Sequence, residues 1–102
     1  MAVTTTGENN SGVLTGAATQ DEIRTATGSE THYVTLRNYS GSDVEVIFFI
    51  NGTTDPDDVE IKYTIPTLET RVFVFLLGNA EVLYCEADSA SAIRWFDGMD
   101  SI

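Results

Sequence analysis

Basic residues are scarce: Lys and Arg total 5 against 16 Asp and Glu, giving a formal charge of −11 over 102 residues. Arg24, Arg37, Lys62, Arg71 and Arg94 are scattered and form no stripe. That argues against a nucleic-acid partner, because phosphate neutralisation takes clustered cations. The same sign sets the chain against an anionic membrane surface, and no apolar run approaches the ~20 residues that span a bilayer. Cys85 is alone and cannot close an internal disulfide, which points to a fold completed in a reducing cytosol. The start, "MAVTTTGENN", has neither the basic nor the apolar stretch of a secretory signal. No internal repeat and no long helix-period segment is evident.

Catalytic constellations are missing as well. The chain has no Gly-rich phosphate loop, no GxSxG and no His/Cys metal spacing. His32 is the only histidine, and it sits in a strand alternation, where a core-edge or surface position is the ordinary reading. Cys85 reads as a small apolar filler of a strand. A Cys85–His32 pair would lack a third, orienting member and an oxyanion motif. Glu86 and Asp88 form a carboxylate pair of the kind that chance supplies in so acidic a chain. Neither an enzyme nor a cofactor is expected.

What the chain does have is β patterning. "HYVTLRN" (32–38) alternates, "YSGSD" supplies turn chemistry, and "VEVIFFI" (44–50) is a strong strand run. "VEIKYTI" (59–65) alternates cleanly and Pro66 closes it. "RVFVFLL" (71–77), "EVLYCEA" (81–87) and "AIRWF" (92–96) follow, the last ended by Gly98. Short strands at a spacing of about 8–12 residues predict an all-β fold, a small antiparallel β-sandwich or jelly-roll-like barrel. Residues 31–102 form this domain.

Residues 1–30 differ. They are mostly Thr, Gly, Ala, Ser and Asn, with few large apolar side chains, and read as a flexible N-terminal arm. A capping box, "TQDE" at Thr19–Glu22, is followed by β-branched residues and Gly28, so at most a turn or two of helix fits. The arm is either a disordered tail or a segment that orders against a partner by adding to a sheet edge.

The loop "NGTTDPDD" (51–58) offers Asn51, Asp55, Asp57 and Asp58, oxygen ligands of the type calcium takes. It lacks the order of an EF-hand loop, and Pro56 with flanking aspartates suits a hairpin turn. A hairpin connection is the reading, with calcium at Asp55, Asp57 and Asp58 as the minor alternative.

Association surfaces follow from strands that are apolar on both sides. In 71–77, Val72, Val74 and Leu76 share one face while Phe73, Phe75 and Leu77 share the other. In 44–50, Ile47 and Phe49 oppose Val44, Val46, Phe48 and Ile50. Strands apolar on both faces should be covered on both, and a folded unit of some 70 residues has little with which to cover a second face. The cover is either the arm folding back or a neighbouring subunit, and a homo-oligomer is expected. Trp95 and Phe96 point to opposite faces, one inward and one toward an interface, unless a small core takes both. The contact candidates are Val13, Leu14, Ile23, Phe49, Phe73, Phe75, Trp95 and Phe96.

From Thr31 onward the chain resembles small β-sandwich virion proteins of tailed bacteriophages. The resemblance rests on "THYVTLRNYSGSDVEVIFFING", on "YTIPTLETRVF", and on "LGNAEVLYCEADSASAIRWFDG". It implies a non-enzymatic virion component assembled in the host cytoplasm. The expected role is a capsid decoration or cement protein, usually trimeric, seated on the major capsid protein or other virion proteins. Tail, head–tail junction and fibre-attachment proteins are the alternatives within that group. A calcium-assisted carbohydrate-binding module is the alternative outside it.

Overall fold

The computed structural model describes residues 4–5, 11–16, 19–51 and 59–101. Its strands are β1 (Thr4–Thr5), β2 (Ser11–Val13), β3 (Asp21–Thr25), β4 (Glu30–Asn38), β5 (Val44–Ile50), β6 (Val59–Ile65), β7 (Thr70–Leu77), β8 (Val82–Ala87) and β9 (Ile93–Ser101). They form two antiparallel sheets packed face to face, a small β-sandwich. One sheet runs β1-β9-β4-β7, with β2 also on β9; the other runs β3-β8-β5-β6. β1 and β2 occupy successive stretches of β9, from Met99 back to Arg94, so both share one edge. No helix among the described residues is long and apolar enough to cross a membrane.

The alternation seen in sequence becomes burial. Along β4, Glu30, His32, Val34, Leu36 and Asn38 turn inward, while Thr31, Tyr33, Thr35 and Arg37 turn out. Phe48 of β5 crosses the gap between the sheets, its ring 5.0 Å from Phe73 and 4.7 Å from Phe75 of β7. Tilted ring pairs at this spacing add ~0.5–1.5 kcal/mol each beyond their buried area. Leu36, Ile93, Leu83, Val44, Val46 and Ile65 fill the space around them. At one end the interior is closed by Asn38, whose amide donates to the carbonyls of Ser42 (2.8 Å) and Ile65 (2.9 Å). Its Oδ1 accepts from the backbone N–H (2.8 Å) and hydroxyl (2.7 Å) of Ser40. A buried amide is tolerated when its bonding capacity is filled in this way.

The reading of residues 1–30 as a flexible arm needs correction. Its described part is built into the sandwich: β1 and β2 edge one sheet, and β3 edges the other along β8. Leu14, Ile23 and Ala26 enter the core, so no domain boundary falls at residue 30. The segment does add strands to sheet edges, and the edges are its own. Gly16 makes the return possible. Its φ is +85°, and a Cβ there would overlap the Ser89 carbonyl and the Ala90 backbone.

Two strand limits differ from the sequence reading by two residues or more. β4 starts at Glu30 rather than residue 32. β9 runs through Gly98, which sits mid-strand opposite Tyr33 instead of ending the strand. The 51–58 segment joins the paired strands β5 and β6, as a hairpin requires. Asp55, Asp57 and Asp58 lie outside the described residues.

Candidate functional site

The outer face of the β1/β2-β9-β4-β7 sheet is the molecule's unusual surface. The register sets its side chains in rows. Thr70, Arg37, Arg94 and Val13 make one row across β7, β4, β9 and β2, and Val72, Thr35, Phe96 and Ser11 make the next. Val74, Tyr33 and Gly98 follow, then Leu76 and Thr31. Inward-facing aromatics dictate this outward set. Phe73, Phe75 and Leu77 take the core, so the strand's period of two leaves Val72, Val74 and Leu76 at 58%, 55% and 74% exposure. Val13, Tyr39 and Phe96 are also exposed.

β7 carries a second feature, because it is a sheet edge and none of the described strands pairs with its other side. Long, apolar, uncovered edges template association, and contiguous apolar patches on a surface mark contact sites.

The row containing the arginines has its own chemistry. The guanidinium carbons of Arg37 and Arg94 each lie 5.0 Å from the centroid of the Tyr39 ring, within cation–π range. Arg37 also donates to the Thr70 hydroxyl at 3.2 Å. Beside them lies an open groove of about 300 Å³, lined by Thr35, Arg37, Tyr39, Thr70, Arg94, Trp95 and Phe96.

The contact candidates read from sequence divide. Val13 and Phe96 are on this face. Leu14, Ile23, Phe75 and Trp95 are core residues, and Phe73 is partly buried against the core. Phe49 is buried too, outside the main cluster, at a register shift where it faces Tyr84 and Val59. These six therefore stabilise the fold and are not on offer to a partner. Phe73 and Phe75 take the inward parity of β7, and Val72, Val74 and Leu76 take the outward one. Bulk was the available signal, since the larger apolar set of a two-faced strand fills the core.

A buried ionic network, unforeseen from sequence except for its histidine, lies between the sheets. His32 Nδ1 sits 2.8 and 2.9 Å from the two carboxylate oxygens of Asp97, and its Nε2 sits 2.7 Å from Glu30 Oε1. A carboxylate only accepts, so both ring nitrogens carry protons and the ring is an imidazolium. Arg24 grips Glu30 in a fork, Nε to Oε1 at 3.0 Å and Nη2 to Oε2 at 2.8 Å. The Thr27 amide and hydroxyl add bonds to Glu30 Oε2 at 3.0 and 3.1 Å. Two cations thus balance two carboxylates.

The protonation shifts follow from this geometry. The Arg24 hydrogen bonds, working against burial, hold the Glu30 carboxyl down at about 2. Burial pulls the His32 value down, but the hydrogen bonds and charges of Asp97 and Glu30 outweigh it and leave it raised. Bonding to Glu30 raises Arg24.

Although the network resembles acid–base machinery, His32 and Asp97 are both 0% exposed, so no substrate reaches them. Cys85 is fully buried on β8 and its thiol is pushed up by that burial, which keeps it in the unreactive form. Among the described residues no group of three or more His, Cys, Asp or Glu is arranged to hold a metal.

Fold and surface together define an antiparallel β-sandwich with one uncovered apolar face. Comparison with family models, curated proteins and solved structures finds no match.

Proposed function

We propose that this protein is a non-enzymatic structural subunit that acts by being built into a larger assembly. The kind of assembly is the one its resemblance implies, with the protein decorating a phage capsid as a homo-oligomer, a trimer by preference. The observation that carries this reading is the row of Val72, Val74 and Leu76 on an unpaired edge strand, continuous with Phe96 and Val13. A monomer in water gains nothing from that arrangement, whereas burial against a subunit returns ~25 cal/mol per Å² of apolar area. The non-catalytic part of the reading is supported by the burial of the lone histidine and the lone thiol.

The test is co-sedimentation of the purified protein with undecorated phage shells. The full chain is expected to pellet with them. A Val74→Lys, Leu76→Lys variant is expected to stay in the supernatant while unfolding within ~0.5 kcal/mol of the parent per substitution, as exposed positions do. A variant that pellets as well as the parent removes this face from the function.

A further inference from the structure

We propose that the Arg37–Tyr39–Arg94 end of the face is a receptor for an extended acidic segment of a partner protein. Side-chain carboxylates of the segment sit on the two guanidiniums and a neighbouring apolar side chain lies against Phe96. The inference rests on the sheet face being a contact surface and names what its polar end receives.

The other three Lys and Arg residues of the chain are each matched internally. Arg24 pairs with Glu30 at 2.8 Å, Lys62 with Glu45 at 3.8 Å and Arg71 with Glu69 at 2.9 Å. Arg37 and Arg94 have no carboxylate within ion-pair distance among the described residues, in a chain with 16 acids. They also stand directly opposite each other in the β4–β9 register, a cross-strand placement of like charges that costs stability. Tyr39 holds both guanidiniums at one ring. An incoming carboxylate relieves that repulsion and meets a preset fork geometry, the strongest form of charge-assisted hydrogen bond.

The groove at this point has an aromatic wall, Phe96, is also lined by Thr35 and Thr70, and is mostly apolar. Carboxylate and apolar contacts thus lie side by side, as an acidic extended peptide requires. The net charge of −11 does not forbid this, because a Debye length of ~8 Å confines each field to its neighbourhood. A long polyanion, by contrast, would meet the whole acidic surface. A second copy is a separate outcome of the test, because the register puts Asp100 opposite Thr31 at the far end of the same face.

The experiment follows fluorescence of Trp95, the chain's single tryptophan, a core residue that borders the groove, on the full-length protein. The probes are capped peptides of alternating Glu and Val, Gln and Val, and Lys and Val. The Glu peptide is expected to bind saturably and to weaken as salt is raised, and the Gln and Lys peptides are expected not to bind. Arg37→Gln and Arg94→Gln should each weaken the Glu peptide roughly tenfold or more, the scale of a lost charge-assisted bond. Equal binding of the Glu and Gln peptides overturns the proposal, and that comparison needs no variant. Unchanged affinity in the double variant overturns it too. If the double variant instead lowers the light-scattering mass of the protein alone, the occupant is a second copy and the proposal fails. A Glu peptide that does not bind, beside shells that still pellet the protein, overturns this inference and leaves the function reading standing.

Discussion

At the scale of single residues, the Arg24–Glu30–His32–Asp97 network links β3 of one sheet to β4 and β9 of the other. Its charges are stabilising only while all are present, and two measurements check this. Asp97→Ala leaves the imidazolium short of a partner at zero exposure and should cost about 3–5 kcal/mol in denaturant unfolding, the range for a broken buried pair. The pH profile tests the rest. The raised His32 value contributes stability that is complete below its ordinary 6.5 and is lost as pH climbs through the higher folded value. Glu30 contributes stability that is complete above its ordinary 4.5 and is lost as pH falls toward about 2. Melting temperature is therefore expected to peak between 4.5 and 6.5. His32→Gln should melt lower within that window and lose the alkaline decline. Of this network only the strand alternation around His32 was legible in sequence. The core-edge or surface position read from it is wrong, since the His32 side chain is fully buried. Its partner Asp97 stands 65 residues away, and nothing local to either residue announces the pairing.

Among the elements, the strands from β4 to β9 and the N-terminal strands were legible to different degrees. β5 and β6 fall on their expected bounds because their apolar alternation is dense. β2 and β3 are built from Ser, Gly, Asp, Glu, Arg and Thr, with Val13 and Ile23 as their only large apolar side chains. Their order comes from pairing with the edges of β9 and β8, supported by the anchors Leu14, Ile23 and Ala26. Leu14→Ala is thus expected to destabilise by about 2–5 kcal/mol, the cost of a core cavity, where a flexible arm would give almost none. Gly16→Ala should cost at least ~1–2 kcal/mol for the left-handed backbone, plus the overlap with the Ser89–Ala90 backbone. Chemical denaturation of both variants checks these values. Deletion of Met1–Glu30 is expected to prevent folding, so it cannot serve to isolate an arm.

For the whole molecule, the described N-terminal strands do not cover the second apolar face. β1 and β2 lie on β9 and β3 lies on β8 of the other sheet, whereas the exposed row is on β7, at the edge of its sheet opposite β1 and β2. The described part of the chain therefore leaves Val72, Val74 and Leu76 uncovered. Copies carrying −11 each repel one another at low ionic strength, while apolar burial favours their contact. Added salt is thus expected to raise the light-scattering mass of the protein while weakening the Glu peptide, opposite responses in one buffer series.

The sequence by itself determined the fold class, because a period of two repeated along short apolar runs leaves few solutions besides stacked antiparallel sheets. It also determined which strands are apolar on both sides. Only the tertiary structure decided which side each strand turns inward, that the polar leader supplies edge strands, and that Arg37 and Arg94 meet at one tyrosine. Those outcomes depend on pairing between segments far apart in the chain, and a residue's own neighbours carry no record of what lies across a sheet.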